Sequence, residues 1–261
     1  MVFPIPHTIS LYGRRALLVL AMISLGLFGC EPASEPVSSQ SPPPPASSEP
    51  REGVGQRLGT DVTGQPGRSS DLSRDERLRI VAFGNSLTSG LGVSPEEAYP
   101  SQLQRKLDAA GYRYRVINAG VSGDTTAGGV RRVDWVLHSK PAIVILELGA
   151  NDGLRGIDLR ETRANLERII QRLQAAGVMV VLAGMKLPPN YGADYTTRFA
   201  ALFPELARTY RLKLMPFFLE GVAAREALNQ ADGIHPTEAG YRVIVDHLLK
   251  TLEPLLVKPE T

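Results

Sequence analysis

From residue 78 onward the sequence predicts an α/β fold, a three-layer α/β/α sandwich with a mainly parallel central sheet in a single domain. Two observations predict it. Short apolar runs alternate with segments of helical period, the pattern of a parallel sheet covered on both faces. One run, residues 142–148, is apolar almost without a break, as a strand buried on both faces must be. Residues 79–83 form a first strand that ends in a glycine turn. Pro100 opens a helix that Gly111 stops, and residues 114–118 form a second strand. A helix near residues 130–137 leads to the run at 142–148. Leu166, Ile169, Ile170 and Leu173 then follow i, i+3, i+4, i+7 spacing, and Gly177 closes that helix. Residues 178–183 make another buried strand. A helix over 196–210, a short strand over 212–215 and a final helix over 237–252 complete the domain.

Composition removes several function classes. The chain has 261 residues, room for one medium domain with extensions. Its net charge of +2 is too small to argue for nucleic acid as a partner, and no basic run is interleaved with aromatics. No repeat period is visible, so a solenoid is not expected. His7, His138, His247 and His235 are scattered and form no ligand spacing, so neither a metal nor a cofactor is expected.

The N-terminal third reads differently. Arg14 and Arg15 precede an apolar stretch over residues 16–28 that ends in Leu27-Phe28-Gly29-Cys30. Positive residues, a short apolar stretch and a small residue make an export signal, and the stretch is short for a membrane span. Cys30, the sole cysteine, sits where a bacterial lipoprotein signal places the residue that is lipidated. A retained N-terminal anchor and simple secretion are the other readings. Phe28 stands where such signals usually carry a small residue. Residues 31–77 are rich in proline, serine and glycine and contain no aromatic residue. Such a segment buries too little apolar surface to offset its ordering entropy and reads as a disordered tether. Its roughly 45 residues would span about 35–40 Å. The domains expected are thus a signal over 1–30, a tether over 31–77 and a catalytic domain over 78–261. The location expected is the bacterial cell envelope, periplasmic or outer membrane, with membrane contact through the lipid.

Four short blocks carry the chemistry. Asp232-Gly-Ile-His235-Pro236 places a carboxylate and an imidazole three residues apart. Pro236 keeps His235 out of helical geometry, so Asp232 can fold back onto one ring nitrogen and leave the other free as a base. Read alone, the same pair is also a capped turn with a satisfied histidine. Ser86 lies in Phe83-Gly84-Asn85-Ser86-Leu87, after the first strand. A serine hydroxyl needs such a base to act as nucleophile. This turn is neither a phosphate loop nor the Gly-x-Ser-x-Gly elbow. Gly123, after the second strand, offers a bare backbone N–H; alternatively this is an ordinary turn in which Asp124 or Thr125 caps the next helix. Asn151, after the most buried strand, offers an amide donor, or is a turn residue. Asp152 is expected to bond local backbone.

Taken together and in order, these blocks resemble the SGNH (GDSL-type) hydrolases over residues 80–256. Within the family they are most similar to bacterial arylesterases and the periplasmic thioesterase/lysophospholipase group. The resemblance implies a flavodoxin-like sheet. It implies Ser86 as nucleophile, Asp232 and His235 as the rest of a triad, and an oxyanion hole of Ser86 N–H, Gly123 N–H and the Asn151 amide. It also implies that Leu187, Pro188, Pro189 and Tyr191 shape the acyl pocket. The expected substrate is a small-molecule acyl or aryl ester, a thioester or a lysophospholipid, handled by a monomer or weak oligomer. A carbohydrate O-deacetylase and a non-catalytic acyl-binding lipoprotein are the alternatives. One departure stands out: the family usually has aspartate where this chain has Asn85. That change bears on the electrostatics and rigidity of the nucleophile turn.

Overall fold

The computed structural model describes residues 77–257, so Cys30 and the signal and tether segments before residue 77 lie outside the described residues. Five strands form one sheet: β1 (Leu78–Gly84), β2 (Tyr114–Gly120), β3 (Ile143–Glu147), β4 (Met179–Ala183) and β5 (Lys213–Met215). All neighbours pair parallel, in the order β2-β1-β3-β4-β5. The chain steps outward from β1 to β2, then crosses back to β3 on the other side of β1. The strand order therefore reverses between β1 and β3, where open α/β sheets bind ligands beyond their carboxyl ends.

The helices are α1 (Ser86–Ser89), α2 (Tyr99–Ala109), α3 (Thr126–His138), α4 (Ala150–Leu154), α5 (Leu159–Ala175), α6 (Ala193–Tyr210) and α7 (Glu238–Leu252). Helix α2 packs with α7, while α5 packs between α3 and α6. These two groups cover the two faces of the sheet. Every residue of β3 is buried, and β1 is buried from Ile80 to its end. Full burial of side chains such as Ile143, Ile145 and Phe83 contributes about 1.5–3 kcal/mol each.

The described fold differs from the sequence expectation in three places. Ser86 and Asn151 do not lie in plain turns; each sits in a helix of one turn, α1 or α4. Elements of four and five residues are too short to show a period. Helix α3 begins at Thr126 rather than near 130, with Gly128 and Gly129 in its opening turns. Glycine is a poor helix former, but packing decides here. A Cβ on Gly129 would come within 2.4 Å of the Leu148 side chain, so only glycine lets α3 lie this close to the sheet. Asp152 reaches beyond its own turn. It is buried, and its two oxygens accept from the N–H and hydroxyl of Thr126, capping α3 from another segment. Thr125, at the cap position itself, makes no side-chain cap bond.

Candidate active site

The carboxyl ends of β1, β2 and β3 each lead into one of the predicted blocks. After β1, Asn85 caps α1, its Oδ1 accepting from the Leu87 N–H at 2.9 Å. The next residue, Ser86, is thereby held at the first position of the helix. Gly120 at the end of β2 lets α1 pack against it, since a Cβ there would lie 2.2 Å from the Ser89 nitrogen. The Ser89 and Ser122 hydroxyls bond at 2.9 Å and tie α1 to the loop that carries Gly123.

Asp232 and His235 lie on the loop between β5 and α7. Asp232 Oδ1 accepts from the N–H groups of Ile234 and His235, at 2.9 and 3.0 Å. Its Oδ2 lies 2.6 Å from His235 Nδ1, and His235 Nε2 lies 2.9 Å from Ser86 Oγ. Residues 149 apart in sequence are thus joined into one chain of hydrogen bonds. The Asp232 carboxyl is held down to about 2, chiefly by the His235 N–H and further by the His235 ring and the Ile234 N–H, against the opposing effect of burial. It is therefore ionised at neutral pH and orients the ring with Nδ1 protonated. Nε2 is left as an acceptor facing the serine hydroxyl.

Gly123 has φ 78°, a conformation that favours glycine. Among the described residues neither the Gly123 N–H nor the Ser86 N–H meets an acceptor. Asn151 Nδ2 donates one hydrogen to the Asp124 carbonyl at 2.8 Å, which fixes the amide and leaves its second hydrogen available. These groups share a cavity of ≈ 310 Å³ with Leu87, Leu91, Ala150, Leu154 and Ile234. The chamber is apolar apart from the hydrogen-bonding groups around Ser86. Leu187, Pro188, Pro189 and Tyr191 are not among its lining residues. Leu187 and Tyr191 instead touch the helix that carries Asn151 and Leu154. Leu187 packs where a Cβ on Gly153 would otherwise sit, and the Tyr191 hydroxyl donates to the Leu154 carbonyl at 3.2 Å.

Three residues that the sequence reading left without a role support this geometry. Glu147, the fully buried end of β3, accepts from Asn85 Nδ2 at 2.8 Å, Asn85 N–H at 3.2 Å and Thr88 Oγ1 at 2.8 Å. Burial pushes its carboxyl up to about 8, against the opposing hydrogen bonds from Thr88 and Asn85. Arg132 donates to the Asp124 carboxylate at 2.5 and 2.8 Å and to the carbonyls of Ala119 and Gly84. It also lies over the Phe83 ring, 4.8 Å from its centroid. Gln230 Nε2 donates to the carbonyls of Leu91 and Pro236, tying the histidine loop to the serine loop. A signal existed for Glu147: a carboxylate at the end of an apolar run demands a buried partner. Arg132 and Gln230 carry no such mark, because both act through distant backbone carbonyls.

Residues 82–243 match the GDSL-like lipase/acylhydrolase family. The chain is 42% identical over 178 residues to esterase TesA of Pseudomonas aeruginosa, covering 68% of this chain and 89% of that one. It is 37% identical over 178 residues to thioesterase 1/protease 1/lysophospholipase L1 of Escherichia coli, covering 68% and 84%. Among solved structures it is similar to AlinE4, an SGNH-hydrolase family esterase, with 45% identity, coverage of 69% and 95%, and a TM-score of 0.59. The sheet order, the ordered blocks and these likenesses agree: the chain belongs to the GDSL-like lipase/acylhydrolase family.

Proposed function

We propose that this protein is a serine esterase that hydrolyses short to medium acyl or aryl esters, thioesters or lysophospholipids through an acyl-enzyme on Ser86. The observation that carries the reading is the hydrogen-bonded chain from Ser86 Oγ through the His235 ring to Asp232. His235 Nε2 takes the hydroxyl proton as Ser86 Oγ attacks the ester carbonyl. Asp232 stabilises the imidazolium that forms and does not itself take the proton. Charge developing on the carbonyl oxygen is met by the Ser86 and Gly123 N–H groups and the Asn151 amide. The imidazolium then protonates the leaving alcohol or thiol. A water molecule, deprotonated by His235, attacks the acyl-enzyme and releases the acid. The relatives named esterase and thioesterase/lysophospholipase support the ester class.

The cavity supports the acyl preference. Leu87, Leu91, Leu154 and Ile234 offer surface for hydrocarbon, and no lysine or arginine lines it to hold a charged acyl group. Tyr191 and Leu187 act on specificity by bracing the turn that carries Leu154, through the Tyr191 hydroxyl and the Leu187 side chain beside Gly153. The test is hydrolysis of p-nitrophenyl esters from acetate to palmitate, with acetylated sugars alongside. Turnover is expected to peak among the short and medium esters. No hydrolysis of any ester by the purified protein would leave only an acyl-binding role. A preference for the acetylated sugars would make it a deacetylase.

The same proposal extends to location. Arg14, Arg15 and the apolar stretch before Cys30 support export and lipidation at Cys30, with residues 31–77 tethering the catalytic domain to an envelope membrane. Cys30→Ala is expected to move the protein from the membrane pellet to the soluble fraction. An unchanged distribution contradicts the anchor.

A further inference from the structure

We infer that Asn85 and Glu147 form a positioning pair that holds the Ser86 turn through a hydrogen bond from the Asn85 amide to the buried Glu147 carboxyl. The inference rests on the reading of Ser86 as nucleophile. Asn85 has two tasks at once. Its Oδ1 accepts from Leu87 N–H and caps α1, while its Nδ2 donates to Glu147 Oε1. The other carboxyl oxygen, Oε2, meets the Asn85 N–H and Thr88 Oγ1, within the same single turn. Glu147 therefore grips α1 at both ends of its single turn, from the strand next to β1. Gly84 leaves the space this grip occupies, since a Cβ there would lie 2.0 Å from Thr88 Oγ1 and 2.5 Å from Glu147 Oε2. Ser86 lies between the two gripped residues and is held by them against β3.

The family's usual aspartate would put a second carboxylate against Glu147, and the two could approach only by sharing a proton. Asparagine supplies that hydrogen itself. The other titratable groups facing Glu147 are Tyr99 from α2 and Tyr241 from α7. Burial raises both phenols above their ordinary range, so neither ionises where the enzyme works. Thr88 accepts from or donates to Tyr99 at 3.3 Å, which closes the cluster on that side.

The pair is tested by exchanging its members in the full-length protein. In Glu147→Gln the new NH2 faces a donor in either orientation, the Asn85 side-chain amide or the Asn85 backbone N–H. One bond of the grip on α1 is therefore lost whichever way the amide turns. We expect kcat to fall about tenfold to a hundredfold, the cost of a misplaced reacting group, with KM little changed. In Asn85→Asp the cap survives but the two acids must share a proton, so activity falls at alkaline pH relative to the parent. In the double variant N85D/E147Q each hydrogen bond has a donor and an acceptor again, with the direction of one reversed. It should recover most of the lost kcat and the parental pH profile. A double variant no better than the poorer single variant overturns the proposal, as does an unchanged kcat in Glu147→Gln. If Glu147→Gln does not fold, the alkaline loss in Asn85→Asp decides alone, and its absence overturns the proposal. Fluorophosphonate labelling of the parent at Ser86 reads the nucleophile separately, so its failure is distinguishable from failure of the pair.

Discussion

His235 faces Ser86 because one short turn carries both the ring and the carboxylate that orients it. Asp232 accepts from two backbone N–H groups with one oxygen and from the ring with the other, so the turn and the tautomer are set together. Residue types with chemistry of their own were legible at this scale. Ser86, Gly123, Asn151 and the pair Asp232 and His235 stand in four motifs, and the fold brings all five residues to one cavity or its edge. Asn151 presents an amide fixed by the Asp124 carbonyl. Asn151→Ala is expected to fold and to lose about 10²–10³ in kcat, measured against p-nitrophenyl acetate. Activity within a few-fold of the parent would remove Asn151 from the oxyanion hole. Arg132 and Gln230 were not legible in this way. Their roles depend on which distant atoms they reach, and only the folded chain supplies that.

At the scale of elements, the strands and long helices follow from apolar periodicity, and their bounds shift by only a few residues where caps decide. Helix α5, for example, starts at Leu159 because Asp158 accepts from the Arg160 N–H, well before the apolar spacing begins. The one-turn helices α1 and α4 were hidden because no pattern fits in four or five residues. They matter most, since they aim Ser86 and Asn151. The loop from β2 to α3 is held by Arg132, whose partners Gly84, Ala119 and Asp124 span the ends of β1 and β2 and the turn at Gly123. Arg132→Met should therefore loosen the Gly123 N–H and, through the Asp124 carbonyl, the Asn151 amide. We expect a drop of about tenfold to a hundredfold in kcat with KM nearly constant. A rise in KM at constant kcat would show that Arg132 serves binding instead.

At the scale of the whole molecule, the reversal of strand order between β1 and β3 collects three strand ends at one place, and the loop before α7 closes over them. The parallel sheet was legible because its central strands β1, β3 and β4 are buried almost throughout. The coupling of that core to protons was not, since it depends on where Glu147 lies. Unfolded, its carboxyl titrates near 4.5; in the native state burial moves it to about 8. Between those values the native state keeps a proton that the unfolded chain has released. The stability contributed by Glu147 is thus fully present below pH 4.5 and is lost as pH rises through about 8. Melting curves should show Tm declining across that window, and Glu147→Gln should flatten the decline. A parent Tm that rises across the window would contradict the assignment. The central claim is that Ser86 is the nucleophile which His235 and Asp232 activate, and intact-mass analysis after fluorophosphonate treatment tests it most directly. The parent should gain a single adduct mapped to Ser86, with Ser86→Ala gaining none and losing ester hydrolysis; an adduct or parental turnover that persists in Ser86→Ala would contradict it.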